Sequence, residues 1–189
     1  MPRYYLDCET NGIDRRISKI ITIQVQEIDE YTGKAIGDLQ IFKEWESSET
    51  EILRRFLDYT ELDPFSSPFQ FVPTGFNLKF DLQFLMARLR FHSMPVIDFL
   101  DRPHIDLHPI GVLMNNGQFK GSGLDKLTGK PHDGKIIPFW YEEKNWERIE
   151  EYIQKETVEF MKFLQYCQQA LPDLLYKFKT NGVDVSAFV

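Results

Sequence analysis

Asp7 and Glu9 close the run Tyr4-Tyr5-Leu6, Asp81 follows Gly75-Phe76-Asn77 in mid-chain, and Glu156 comes four residues after Tyr152. Acids from three distant segments share a pocket only if the fold gathers them. Once gathered, they repel and raise one another's pKa until a cation lies between them. The chemistry such a set serves is metal-assisted hydrolysis, in which divalent ions make a hydroxide available near neutral pH. Taken singly, each acid has an ordinary explanation. Asp7 and Glu9 could sit on a frayed strand end, Asp81 in a first helical turn where acids are common, and Glu156 on a solvated helix face. The argument rests on the combination.

The elements that must position these residues read as strands first and helices later. Residues 3–8 form a short strand, on which Asp7 and Glu9 share a face with Tyr5 while Tyr4, Leu6 and Cys8 take the other. Residues 19–28 alternate Ile21, Ile23 and Val25 against Thr22, Gln24 and Gln26, the pattern of a strand with one covered face. A turn at Thr32-Gly33 leads into a third strand over 35–43, completing an antiparallel meander. Ser48 with Glu51 is a capping-box start for a helix through Leu57, ended by Asp63-Pro64. Residues 69–76 read as a fourth strand, with Pro73 implying irregular or edge pairing.

A helix over 78–91 follows, with Asn77 placed to cap it and Asp81 in its first turn, where the helix N-terminus favours negative charge. Beyond it come a short strand over 104–107, a Gly- and Asn-rich loop over 111–123 and a small helix over 124–127. The long helix spans 144–169, and a separate short helix spans 171–178. Within the long helix the spacing of four stacks Tyr152 and Glu156 one turn apart on one face. Strands and helices in this order predict a single α/β domain over 1–189 with a mixed sheet, an antiparallel meander plus parallel strands flanked by helices, in the outline of a ribonuclease H-like fold.

In this order the three motifs resemble the DEDD superfamily of 3′-to-5′ exonucleases, the DnaQ-like group that includes polymerase proofreading domains and ribonuclease D. Gly75 to Asp81 is especially similar to the second exonuclease motif of family A polymerase proofreading domains, and the resemblance runs from Tyr4 to about Gln165. The histidine subclass carries His-x-x-x-x-Asp, but the residues five after His92, His104, His108 and His132 are Ile97, Pro109, Leu113 and Ile137. The tyrosine subclass carries Tyr-x-x-x-Asp, which Tyr152 satisfies except that Glu156 replaces the aspartate. Tyr59 and Asp63 match that pattern literally, but they precede the second motif and abut Pro64, so the match is taken as coincidence.

The resemblance implies a 3′-to-5′ exonuclease that hydrolyses single-stranded DNA or RNA with two divalent ions, Mg²⁺ or Mn²⁺. It assigns Asp7, Glu9, Asp81 and Glu156 as metal ligands and Tyr152 as the group that orients the attacking water. The extra methylene of Glu156 extends its reach by about 1 Å, which implies weakened or metal-selective activity with manganese preferred. Candidate substrate contacts are Asn77, Phe80 and Lys120, with Phe76, Phe119 and Lys126 nearby for stacking bases and holding a backbone. Asp106 is expected to hydrogen-bond a turn. The histidines have no zinc spacing.

A net charge of −7 argues against a basic surface that coats nucleic acid, and weakens a pure binding module more than it weakens a metal enzyme, whose ions reverse the local field. Cys8 and Cys167 lie far apart and carry no metal spacing, so free thiols and a cytoplasmic location are expected. No segment reads as a signal peptide or membrane span. No polymerase segment accompanies the motifs, so service to a replication or repair protein is expected only in trans, and the oligomeric state stays open. Two alternatives stand beside the exonuclease: a catalytically weak or inactive binding domain on the same fold, and a structure-specific endonuclease.

Overall fold

The computed structural model describes residues 1–128 and 134–181. Its elements in chain order are β1 (Arg3–Thr10), β2 (Ile20–Ile28), β3 (Ala35–Lys43), α1 (Glu49–Thr60), β4 (Val72–Gly75), α2 (Lys79–Phe91), β5 (Ile105–Asp106), α3 (His108–Met114), α4 (Leu124–Thr128), α5 (Ile137–Glu142) and α6 (Trp146–Asn181). One five-stranded sheet runs β3-β2-β1-β4-β5, antiparallel from β3 to β1 and parallel from β1 to β5. This is the mixed sheet that the sequence predicts.

Period-two alternation on β1 sends its side chains into two different cores. Leu6 and Cys8 pack with Phe56, Leu82 and Leu85 of α1 and α2. Tyr5 packs with Phe160 and Leu164 of α6 on the opposite face. Both faces are therefore covered, which overturns the expectation of one covered face for β2. Thr22, Gln24 and Gln26 are as buried as Ile23 and Val25. The second face is covered by α5 and α6, and a bulge adds to it: Glu9 pairs with Thr22 but Thr10 pairs with Ile20, so the extra residue Ile21 joins the core of α5 and α6 instead of the core of Ile23. The polar alternates donate internally, the Gln24 amide to Thr22 Oγ1 (2.8 Å) and the Gln26 amide to the Ile36 carbonyl (2.7 Å).

β4 is shorter than expected, because turns hold residues 63–70: Ser66 N–H donates to the Asp63 carbonyl and Gln70 N–H to the Ser67 carbonyl. Nor is β4 an edge strand. Its pairing with β5 begins only at Thr74, so Pro73, matched to Tyr4 of β1, lies where no second neighbour needs an N–H. At Gly75 the chain passes so close to β1 that a Cβ would stand 2.8 Å from the Leu6 carbonyl oxygen and 2.9 Å from Leu78 Cδ1. Gly75→Ala is expected to destabilise by about 2 kcal/mol through overpacking against backbone that cannot yield. Chemical denaturation would show this as a lower midpoint with an unchanged slope, and an unchanged midpoint would refute the contact.

Ser48 caps α1 as predicted, its hydroxyl accepting the Glu51 N–H, and Glu61 in the left-handed region (φ 52°) ends the helix. Asn77 does not cap α2. It adopts a left-handed conformation (φ 58°), and the helix starts without a side-chain cap, with Leu78 at the cap position. Two short helices go beyond the sequence reading: α3 runs into the expected loop over 111–123, and α5 occupies a stretch to which the sequence assigns no element. α3 and α5 each carry a proline in the first turn, Pro109 and Pro138, a start signal that their brevity obscured. The two C-terminal helices are one: α6 continues through Pro172. Good helix formers on both sides, Gln168 to Ala170 and Leu174-Leu175, outweigh one missing N–H in a segment exposed to water. No helix among the described residues is long and apolar enough to cross a membrane.

Candidate active site

Three elements bring the predicted acids together. β1 extends past its last pairing with β4, Tyr5 with Thr74, so its outer edge is open from Leu6 onward. Asp7 and Glu9 project from that stretch toward α6, backed by their β2 partners Gln24 and Thr22. From α6, Glu156 reaches the same point, so that Asp7, Glu9 and Glu156 each offer a carboxylate oxygen within 4.8 Å of the others. Asp81 approaches from α2 on the open edge, where its Oδ1 accepts the Cys8 backbone N–H at 3.2 Å. It is 4% exposed and lies beside the three-acid cluster, outside that 4.8 Å set.

Burial pushes the Asp81 carboxyl well above the usual carboxylate range, and the charges of Asp7 and Glu156 push it further, against the pull of backbone N–H groups. Tyr152 is buried one helical turn from Glu156 and hydrogen-bonds it. Burial, then the charges of Glu156, Glu9 and Asp7, hold its phenol far above its ordinary value. Tyr152 is therefore a protonated donor at any working pH. Burial, then the charges of Asp81, Asp7 and Glu9, also raise the Cys8 thiol, which makes it an unreactive apolar group. Beneath the cluster Tyr5 is hydrogen-bonded to Thr157, whose own hydroxyl donates to the Ile153 carbonyl at 2.9 Å.

A pocket of about 470 Å³ opens over the cluster. Asp7, Tyr152 and Glu156 form its acidic floor, and Phe76, Phe119, His108 and Lys135 contribute walls. The rings step outward, Phe76 to His108 at 5.2 Å and His108 to Phe119 at 6.1 Å between centroids, and Phe119 is 75% exposed. Asp106 accepts N–H bonds from Asn77 and His108, both 2.9 Å, fixing the turn that carries Asn77 to the pocket rim. This is the turn bond expected of it. Phe80 goes elsewhere: it packs on the α1–α2 core against Phe84 and does not line this pocket. Lys120 is exposed and likewise outside the lining, its carbonyl accepting from Asn115.

The sequence missed Gly134 and Lys135. A Cβ on Gly134 would stand 3.3 Å from the Tyr152 hydroxyl and 3.9 Å from Glu9 Oε2, so this glycine forms a wall of the site. Both residues lie in a single 3-10 turn, Gly134–Ile136, too short to show a period, and nothing in their spacing announces them. His132, tested as a subclass marker, lies outside the described residues. Tyr59 lies on α1 with its ring edge-on to Phe42, and Asp63 caps a turn at Phe65, so that pair has no part in the cluster.

Three carboxylates at this separation, with a fourth buried beside them, form an all-oxygen donor set that fits a hard divalent cation such as Mg²⁺ or Mn²⁺. Mixed sheet, covering helices and an acid cluster at the open end of its central strand place the chain in a class, and a family comparison agrees. A model of the RNase_H superfamily matches residues 4–170, and the chain belongs to that superfamily. No curated protein matches it by sequence.

Solved structures that share the fold include E. coli exonuclease I in complex with a dT13 oligonucleotide (TM-score 0.62, 12% identity), covering 95% of this chain and 43% of that one. The zinc-bound form of the E. coli exonuclease I complex with single-stranded DNA gives a TM-score of 0.63 at the same identity and coverage. Product-bound exonuclease I gives 0.59 at 12% identity, covering 95% of this chain and 46% of that one. The chain thus spans less than half the length of these enzymes.

Proposed function

We propose that this chain is a divalent-metal-dependent 3′-to-5′ exonuclease acting on single-stranded DNA or RNA, of the tyrosine subclass with Glu156 in the place of the last aspartate. The observation that carries the proposal is the convergence of Asp7, Glu9 and Glu156 within 4.8 Å of one another, with Asp7 and Glu156 on the floor of a pocket walled by aromatic rings. In this reading Asp7, Glu9 and Glu156, with Asp81 beside them, hold two divalent ions, which supply Lewis acidity and a nucleophile at neutral pH. The Tyr152 phenol, kept protonated by burial, gives its one proton to a hydrogen bond with Glu156, and its oxygen accepts a hydrogen bond from the incoming water. Phe76 and the exposed Phe119 offer faces on which a base can stack, and such contacts tolerate any sequence. Lys135 adds a positive charge to the pocket lining. The structures of exonuclease I with oligonucleotides support a single-stranded substrate by analogy of fold. We take the whole chain as one catalytic domain, cytoplasmic, serving any replication or repair protein in trans.

The test is digestion of 5′-labelled linear and circular single strands, DNA and RNA, with magnesium, manganese or chelator. Laddering of the linear strands from the 3′ end with either metal, with circles intact, is the expected result. Cut circles would move the assignment to an endonuclease, and intact linear strands with every metal would reduce the fold to a binding domain. Glu156→Asp is expected to raise the magnesium-supported rate several-fold relative to the manganese-supported one, since it withdraws the carboxylate by about 1 Å toward the spacing Mg²⁺ demands. If neither rate nor metal preference moves, Glu156 is not a ligand.

A further inference from the structure

The chain carries net charge −7, yet one groove outside the acid pocket is cationic. It has a volume of about 720 Å³ and runs between the loop after β1 and the outer face of α2, lined by Arg15, Arg16 and Arg90 over an apolar floor of Met86, Ala87 and Leu100. Asp14 is the one acid in the lining, and Arg16 occupies its carboxylate through bonds of 3.0 and 2.8 Å. Arg15 donates to the neutral Gln83 amide at 2.6 Å, and among the described residues neither Arg15 nor Arg90 forms a salt bridge. Two uncompensated guanidiniums on one groove of an acidic protein are a feature that self-repulsion elsewhere on the surface does not explain.

Both walls of the groove belong to elements that also carry the site acids, with the groove on the face of α2 turned away from Asp81. Arg15 lies six residues beyond Glu9 on the same strand and loop, and Gln83 lies two residues beyond Asp81 on α2. Lys79, exposed one turn before Gln83 on the same helix face, extends the positive stripe toward the end of α2 that carries Asp81. From Gln83 to Arg90 the helix rises about 10 Å, a length of at most about three nucleotides at 3.4 Å each.

We infer that this groove is a second binding site, a track that holds the backbone phosphates of the single strand whose end occupies the acid pocket. Guanidiniums hold phosphate through paired N–H donors, and the apolar floor accepts sugar and base faces, so the track reads charge and not sequence. The inference rests on the proposed nuclease reading for the identity of the strand, but its test does not need turnover.

The experiment measures anisotropy of a sixteen-nucleotide 5′-fluorescein-labelled oligothymidylate, with an RNA counterpart as a second arm, against wild type and the double variant Arg15→Gln/Arg90→Gln in chelator over a range of salt. Both residues are at the surface, and equal melting temperatures would show that the variant is folded. Wild type is expected to bind. The double variant is expected to bind about tenfold more weakly, with the slope of log K against log salt shallower by about 1.4, or 0.7 for each lost phosphate contact on a single strand. With metal present, its KM for the oligonucleotide should rise, while hydrolysis of thymidine 5′-monophosphate p-nitrophenyl ester, too short to reach the groove, should not change. Equal affinity and salt slope in the two proteins, or no binding by wild type, would overturn the track. If the ester is not hydrolysed by either protein, the nuclease reading fails instead.

Discussion

Asp7→Asn is expected to lower metal-dependent digestion of a single-stranded oligonucleotide at least about 10³-fold, the several kcal/mol that bound ions supply to such a hydrolysis. Asp7 is the acid common to every electrostatic relation in the site. Its carboxylate lies within 4.8 Å of Glu9 and Glu156, and its charge helps to raise Asp81, Tyr152, Tyr5 and Cys8. Asparagine keeps its shape but removes the charge that makes the cluster a cation site. In chelator the variant should melt at the wild-type temperature or above it, because four acids without a cation repel one another. Added manganese should then raise the melting temperature of wild type, by about 2.7 kcal/mol of stability at a hundredfold excess over Kd, and leave the variant unmoved. A variant that digests at the wild-type rate would remove Asp7 from the chemistry. One that fails to fold in chelator would show that the cluster is structural.

The largest effect on stability is expected far from the site, at Glu49. Its carboxylate accepts the Ile20 N–H at 2.8 Å, both Arg88 Nε (2.8 Å) and Arg88 Nη2 (2.7 Å), and contacts His92 Nε2 at 2.7 Å. The ion pair is almost wholly buried, with side chains 6% and 5% exposed, and it ties α1, α2 and the start of β2 together. Glu49→Gln leaves the Arg88 guanidinium buried without its counter-charge, which costs about 3–5 kcal/mol, or about 10 °C in Tm at 2–4 °C per kcal/mol for a chain of this length.

Burial raises the Glu49 carboxyl, but the hydrogen bonds from Arg88, His92 and Ile20 overcome it and leave the carboxyl below its ordinary value. A depressed folded pKa means that the stabilisation is complete above the unfolded value of about 4.3 and is lost as pH falls through the lower, folded value. The difference in denaturant midpoint between wild type and variant should therefore be full at neutral pH and shrink below about pH 4. A constant difference down to about pH 3 would assign the loss to packing and not to charge.

What the sequence disclosed about the site follows from periodicity. Asp7 and Glu9 were legible because a strand has period two, Tyr152 and Glu156 because a helix turn brings residues four apart into line, and Asp81 because a glycine and a helix start precede it. The misses have physical causes too. The helices that follow late in the chain cover the second face of β2, so the polar set Thr22, Gln24 and Gln26 that reads as solvent-facing is the buried backing of the acid-bearing edge. Phe80 and Phe119 are equal as letters, yet one is spent on the α2 core and the other is left open at the pocket mouth. Gly134 and Lys135 meet the acids through tertiary placement alone, and Glu49 in a first helical turn reads as an ordinary acid until Arg88 arrives from another helix.

The most direct measurement is anomalous diffraction from crystals grown with manganese. The account predicts manganese peaks beside Asp7, bridged to Glu9 and Glu156 with Asp81 within reach. An empty cluster with Glu156 turned toward solvent would contradict it.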